Sequence, residues 1–439
     1  MMISIIIAKI IYYILRLFGR GATTLPGKIA LDLKYNILNR LSKGVSIICV
    51  TGTNGKTTTC ALLERAMKDN KLSYFINKSG ANMLSGVATA FIVNSNIFGH
   101  CKKDYAILEC DENSLPLISR YIDANVVVVT NVFRDQLDRY GEVNHTLSKI
   151  KQGIDYMPNS VVVLNADCPL TYSLSKMCNN KMLTFGITAD FGGDIMSDNR
   201  FCPCCDNELK YHSRVYAQLG DYYCTHCGYH RIKPNVCVDE IAEINQNGST
   251  FFVNGSVHSI SLGGIYNIYN YICALAVLDA LDINEPKSLC DFDGAFGRME
   301  RFKNGEQVIL LMLVKNPVGL SNCIKYVSKI KGDVDLAFAL NDNDADGRDV
   351  SWIWDADFKP LNVKNSFVHT VGLRSYDMAI RLKYDNINIS EIIDGEKYDK
   401  LLEIIKNSNR DFAVLSTYTS MMNMRHVFIN HFGGKEFWQ

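Results

Sequence analysis

The sequence has no surplus of either charge: 46 lysines and arginines face 46 aspartates and glutamates across 439 residues. Neutrality supplies no global pull towards a polyphosphate backbone, so no nucleic acid is expected as a partner. An uninterrupted apolar run of membrane-spanning length is missing too. The most apolar stretch, Met1 to Arg20, is broken by Lys9 and Arg16 and falls short of the roughly 20 residues needed to cross the hydrocarbon. No cleavable signal sequence is seen, so the 15 cysteines do not read as a secreted disulfide scaffold, and a reducing, cytoplasmic compartment is expected. There is no internal repeat and no low-complexity tract. No nucleophile-elbow glycine pattern surrounds any cysteine, which excludes a glutaminase of that design within the chain.

What is present is globular: 47% hydrophobic and 21% charged residues are ordinary proportions, and the length exceeds one core. Residues 1–40 form an N-terminal amphipathic segment. On a helix Lys9, Arg16 and Arg20 share one face while Ile10, Ile11, Ile14, Leu15 and Phe18 cover the rest, which suits a helix lying on a surface, either the protein's own core or the inner face of a membrane. Beta-branched runs at Tyr105, Val126, Val161 and Met182 alternate with helical spacing, and a second series follows at Val308, Asp335, Phe367 and Phe412. That rhythm predicts two α/β domains with parallel sheets, 41–304 and 305–439, joined by a polar linker at Arg301 to Glu306.

The first β-branched strand runs into VTGTNGKTTT, Val50 to Thr59, and then into helical spacing at Leu62, Leu63, Ala66 and Met67. A strand, a glycine loop and a helix N-terminus together offer converging backbone N–H groups and a favourable dipole to a triphosphate. Gly52, Thr53, Asn54, Gly55, Lys56, Thr57 and Thr58 are the nucleotide-binding candidates, with Lys56 supplying charge and the Thr57 hydroxyl a ligand for Mg²⁺. The common pattern places a glycine where this chain has Val50. Glu109 closes the next strand and is the second Mg²⁺ candidate, since carboxylates at the ends of parallel strands face the ligand crevice. Asp111 and Glu112 belong either to that crevice or to solvent. The loop after Thr130 gathers Asn131, Arg134, Asp135, Asp138 and Arg139, with helix capping by Asp135 as the alternative.

Residues 194–234 break the rhythm, being rich in Cys, Tyr, His and Asn. Cys202 and Cys205, then Cys224 and Cys227, make a CxxC pair of pairs that can hold Zn²⁺ tetrahedrally. So few aliphatic residues cannot build a core, and four thiolates leave no open position, so the metal is expected to be structural. Further on, Asp342 to Gly347 matches half of a calcium loop, but Val350 and Ile353 occupy its ninth and twelfth positions, which argues against calcium. Trp352 and Trp354 alternate as in an interface strand or a core.

With the phosphate loop, the Glu-Cys-Asp-Glu loop, NVFRDQLDRYGE, LNADCP and GGIYNIYNYICALA in this order, the first domain resembles the Mur ligase family, which couples ATP to carboxylate activation through an acyl phosphate. The zinc insert and NDNDADGRDVSWIWDADF narrow the resemblance to the branch that works with a glutaminase subunit, GatD, and it then covers nearly the whole chain. The implied activity is a glutamine-hydrolysing carbon–nitrogen ligase: amidation of the α-carboxyl of D-glutamate in the lipid II stem peptide, giving D-isoglutamine for peptidoglycan and cell-wall biogenesis. The heterodimer's ammonia would come from GatD. The resemblance further implies that Asn267 or Asn270, and Arg298, contact the nucleotide, and that Asp349 completes the partner's Cys-His pair. The alternative for Asp344, Asp346 and Asp349 is that they cap turns around Gly347. Family members often carry Asp-His where this chain has Asp135-Gln136, so no second, histidine-bound Mg²⁺ is assigned, and Lys151 is not assigned as a carbamylated lysine. Two other readings stand beside this one. An amino-acid-adding or folylpolyglutamate synthase-like ligase fits the first half only, and a non-enzymatic zinc-ribbon scaffold leaves the phosphate loop without a use.

Overall fold

Valine-rich strands form the centre of the first half because a parallel strand covered on both faces needs no polar alternation. Val126, Val127, Val128 and Val129 are all fully buried. The computed structural model describes residues 1–18, 21–77, 80–133, 140–189, 201–245, 248–292, 298–330, 332–361 and 366–433, with the backbone alone at 140–142 and 298. Its first six strands are β1 (Ser46–Thr51), β2 (Tyr74–Ile76), β3 (Tyr105–Glu109), β4 (Val126–Val129), β5 (Val161–Asn165) and β6 (Lys181–Ile187). A two-stranded ribbon, β7 (Lys210–Tyr216) and β8 (Leu219–Tyr223), stands outside the sheets, and β9 (Val236–Asn245), β10 (Gly248–Val253) and β11 (Ser256–Ile260) follow. The nine-stranded sheet runs β11-β10-β9-β6-β5-β4-β1-β3-β2. It is parallel from β2 to β9, and β9-β10-β11 close it as an antiparallel edge.

The second sheet comprises β12 (Arg298–Asn304), β13 (Gln307–Leu313), β14 (Val334–Ala339), β15 (Val368–Gly372), β16 (Glu391–Asp394) and β17 (Asp411–Ser416), in the order β12-β13-β17-β14-β15-β16. All its pairs are parallel except β12 with β13. The segment Arg301 to Glu306, expected as a linker, is therefore the end of β12 and a hairpin turn, with Gly305 at φ 60°. Its polar sequence reflects an edge strand with one wet face, and a polar run of that length looks the same in either setting. Trp352 and Trp354 do not lie on a strand either. They belong to a 3₁₀ turn, Ser351–Asp355, that buries Trp352 and leaves Trp354 45% exposed.

The N-terminal helix, Met2–Leu17, presses Ser4, Ile5 and Ala8 onto the body and leaves Ile3, Ile10, Tyr13, Ile14 and Leu17 exposed. Lys9 turns inward to the Ser95 carbonyl, and burial, with Lys102 nearby, lowers its pKa. Among the described residues no helix is long and apolar enough to cross a membrane.

Candidate active site

The loop after β1 is shaped by two glycines that nothing else could replace. Gly52 has φ 121°, and a Cβ there would lie 2.3 Å from Thr130 Oγ1; Gly55 has φ 88°, and its Cβ would lie 2.2 Å from Asn270 Oδ1. Val50, where the common motif has glycine, pairs with Glu109 on β3 and Val128 on β4 and is fully buried. It is a strand residue, and no special backbone is needed until Gly52. Asn131 clamps the loop from the end of β4: its carbonyl accepts from Thr53 N at 2.9 Å, its Oδ1 from Asn54 N at 2.9 Å, and its Nδ2 donates to Asn54 O at 3.0 Å. Phe133 N donates to Thr53 Oγ1 at 3.0 Å.

Gly55 is the N-cap of the helix Lys56–Asp69, so the N–H groups of its first turn are directed towards the loop. Thr57 Oγ1 donates to Glu109 Oε2 at 2.9 Å, which brings the two expected Mg²⁺ ligands together. Asn77 fixes the backbone of Glu109, accepting from its N–H and donating to its carbonyl, each at 2.8 Å. Lys56 Nζ donates to the Gly52 carbonyl and, at 2.7 Å, to Glu112 Oε1. Burial pushes the Glu112 carboxyl up, but Lys56 and Lys315 outweigh it and hold the group below its ordinary range. Glu112 is thus part of the site. Asp111 caps the turn instead, accepting from Asn113 N and Ser114 N, and burial beside Glu112 raises its pKa.

The helix Ile265–Ala280 carries Asn267 and Asn270 to this loop. Asn267 Nδ2 donates to the Gly263 carbonyl at 2.8 Å and Asn270 Nδ2 to Asn267 Oδ1 at 3.4 Å. Both line a cleft between the two sheets, together with Asn54, Gly55, Thr58, Asn131, Tyr216, Tyr266, Met299, Met312 and Lys315. Asn316 joins its two sides by donating from Nδ2 to Asn54 Oδ1 at 3.1 Å. Sequence reasoning missed Lys315, Asn316 and Tyr216. The first two had a readable signal, a strand end followed by Asn-Pro, and Asn316 does cap its helix through Gly319 N at 2.7 Å. The Arg298 side chain and the segment Arg134 to Arg139, Asp135 and Gln136 included, lie outside the described residues. Lys151 pairs on the surface with Asp155 at 2.6 Å, away from the cleft.

The four expected zinc ligands converge. Sγ atoms of Cys202, Cys205, Cys224 and Cys227 all lie within 4.8 Å of one another, with Cys202–Cys227 at 3.6 Å and Cys205–Cys224 at 3.5 Å. A tetrahedron of Zn–S bonds about 2.3 Å long has edges of roughly 3.8 Å, so the cluster fits Zn²⁺. Gly228, at φ 73°, makes the knuckle turn with its N–H on the Cys224 carbonyl. The insert does have a small core, but of tyrosines: Tyr222 and Tyr229 pack with Leu209 against the cysteines, and Tyr172 from the short helix Pro169–Ser173 outside the insert completes it.

In the loop after β14 the capping alternative holds for part of the acidic cluster. Asp346 accepts from Thr419 N at 2.7 Å at the start of the helix Tyr418–Phe432, and Asp344 pairs with Arg348 in solvent. Asp349 is half-buried, its Oδ1 accepts from Ser351 N at 2.8 Å, and hydrogen bonding from the Ser351 hydroxyl first and its N–H second lowers its pKa.

Residues 50–202 match the Mur ligase middle domain and residues 313–421 the MurT ligase C-terminal domain. Lipid II isoglutaminyl synthase (glutamine-hydrolyzing) subunit MurT of Streptococcus pneumoniae (strain ATCC BAA-255 / R6) is 36% identical over 425 residues, covering 95% of this chain and 94% of that protein. The chain belongs to the MurT family. The MurT subunit of Staphylococcus aureus (strain COL) is 31% identical over 440 residues, 98% of each chain. In fold, a pseudomurein peptide ligase type C from Methanothermus fervidus superposes with a TM-score of 0.66 at 20% identity, over 90% of this chain and 80% of that one. The Mur ligase architecture expected from the order of loops is therefore the one adopted, with the cysteine cluster inserted between β6 and β9.

Proposed function

We propose that the chain is the synthetase subunit of a two-component amidotransferase: it spends ATP to activate the α-carboxyl of D-glutamate in the lipid II stem peptide as an acyl phosphate, which ammonia from a glutaminase partner converts to D-isoglutamine. The observation that carries this reading is the meeting of Lys56, Thr57 and Glu109 at a loop that leaves no room for side chains at Gly52 and Gly55, in a chain 36% identical over 425 residues to a MurT subunit. Phosphoryl transfer needs positioning and charge neutralisation more than covalent help. Lys56, aimed by Gly52 and Glu112, supplies a cation at the loop, and the first helical turn supplies N–H donors. Thr57 and Glu109 offer the two hard oxygens that would hold Mg²⁺, whose charge offsets that of the phosphates. Asn267, Asn270 and Arg298 are assigned to the nucleotide side.

The glutaminase is assigned to the second domain. Asp349 leads into the 3₁₀ turn bearing Trp354, whose ring meets Tyr384 edge-on at 5.1 Å, and Tyr376, Ile380 and Tyr384 form an exposed stripe along the helix Ser375–Tyr384. A carboxylate beside an apolar stripe suits a partner whose catalytic histidine needs orienting. The lipid-linked substrate is met at a membrane surface through the N-terminal segment. Residues 1–44 carry seven basic side chains, at positions 9, 16, 20, 28, 34, 40 and 43, against one acidic, Asp32, and the first helix turns its apolar stripe outward.

The test is lipid II labelled with ¹⁸O in the α-carboxylate, given with ATP, Mg²⁺ and ammonium. Transfer of label into inorganic phosphate, with amide formation, supports the reading. Amide formed with unlabelled phosphate, or label transfer only when an amino acid is added, would count against it.

A further inference from the structure

The insert that carries the four cysteines reaches the nucleotide cleft, and a purely structural role for the cluster does not account for that. The cysteines sit at one end of the β7–β8 ribbon, with Cys224 directly after β8, and the tip is the two-residue turn Ala217-Gln218 between Tyr216 and Leu219. Two-stranded ribbons are marginal by themselves, and this one is fastened at both ends. At the tip, Tyr216 is 5% exposed, lines the cleft, and packs against Phe133 at 6.0 Å and edge-on against Tyr269 at 5.6 Å. Gln218, fully enclosed, donates from Nε2 to the Val132 carbonyl at 2.6 Å. Val132 lies between Asn131 and Phe133, the two residues that hold Asn54 and Thr53 of the phosphate loop. A second tie runs through Asp167, which accepts from Arg231 at 2.6 Å beyond the ribbon and from the Tyr269 hydroxyl at 2.6 Å on the helix of Asn267 and Asn270.

The cleft is polar at the phosphate loop and becomes apolar and aromatic at Tyr216, Tyr266, Met299 and Met312. That gradient matches a nucleotide with its phosphates on Gly55 and its base on the aromatic side, where stacking on an aromatic ring tolerates any base. We propose that Tyr216 is a nucleotide-binding residue that packs against the purine of ATP, and that the zinc-fastened ribbon holds it there, so that zinc retention and ATP affinity are coupled. This rests on the ATP reading of the cleft and goes beyond it by giving the insert a role in substrate binding. Gln218 acts as a positioning residue through Val132.

The full chain, zinc-loaded, is titrated calorimetrically with two probes in the presence of Mg²⁺: AMPPCP, which carries the base, and tripolyphosphate, which does not. Tyr216→Ala is expected to raise the Kd for AMPPCP at least tenfold and to leave that for tripolyphosphate within twofold, with Tyr216→Phe close to the parent chain. Saturating AMPPCP is expected to slow zinc transfer to a chelator severalfold in the parent chain and not in Tyr216→Ala, because coupling between two sites is reciprocal. If Tyr216→Ala keeps its thermal midpoint and binds AMPPCP like the parent, or loses both probes equally, Tyr216 does not meet the base and the proposal fails alone. If the parent chain binds neither probe, the nucleotide reading fails and takes the proposal with it.

Discussion

The two sheets each end in a polar loop rooted on a buried asparagine, Asn131 or Asn341, and the loops differ in how far that interior fastening extends. The loop after β1 is pinned from inside by Asn131, Thr130 and Phe133, and its lysine and threonine point to carboxylates in a cleft. The loop after β14 is pinned inside at its root, where buried Asn341 bonds Thr417, Tyr398 and Leu373, but further along Asp344 and Arg348 lie in solvent and Asp349 is half-buried. Rigid interior fastening suits a small ligand whose phosphates must meet fixed N–H groups. A surface loop next to Trp354 and Tyr384 suits a protein partner. On the proposed reading, one chain separates the chemistry it performs from the chemistry it assists.

That separation can be broken one side at a time. The largest effect is expected from Asp349→Asn: in the complex with the glutaminase, glutamine-driven amidation falls on the order of 10³–10⁴-fold, as when the orienting carboxylate of a triad is lost, while ammonia-driven amidation stays within twofold. Parallel rate assays with the two nitrogen sources check it, and equal loss of both would show that Asp349 holds up the fold. Lys56→Ala should lower both activities together by about 10²–10³-fold, the cost of removing one transition-state donor, with partner affinity unchanged in the same preparation. Trp354→Ala should weaken the partner complex by about 10- to 100-fold in a titration, in the range of an interface hot spot, and leave ATP affinity alone.

The smallest effect concerns the second sheet itself. His369 on β15 is 6% exposed, its buried Nδ1 has no hydrogen-bond partner among the described residues, and burial, opposed by Asp335 and Glu391, lowers its pKa. The unfolded chain therefore binds this proton more readily, and stability falls as pH drops below about 6.5 towards the lower folded value. Urea melts of His369→Leu over that window should lack this component of the slope.

The sequence carried the parallel strands well, because Val126–Val129 and Val161–Asn165 have no other reason to be continuous and apolar. The phosphate loop and the cysteine cluster were legible for a related reason: each needs particular residues at fixed spacing within a short segment. Contacts made by folding were hidden. Nothing local says that Tyr216, fourteen residues beyond Cys202, returns to Gly55, or that Asn316 reaches Asn54 across the cleft. The antiparallel edge β9-β10-β11 escaped because β9 loses its burial pattern after Val238, and the supposed linker at Arg301 to Glu306 was the polar side of an edge hairpin. At the Asp342–Asp349 loop, Asp346 and Asp349 each accept a backbone N–H, and nothing local says that Asp346 reaches the distant Thr419 while Asp349 turns onto Ser351 beside it.

The most direct measurement is of ADP and stem-peptide amide formed by the folded, zinc-loaded chain given lipid II, Mg-ATP and ammonium with no glutaminase present. One ADP released for each amide made, and none without lipid II, is the expected result. ATP left intact in the presence of lipid II, with the D-glutamate α-carboxyl unchanged, would contradict the assignment of the cleft.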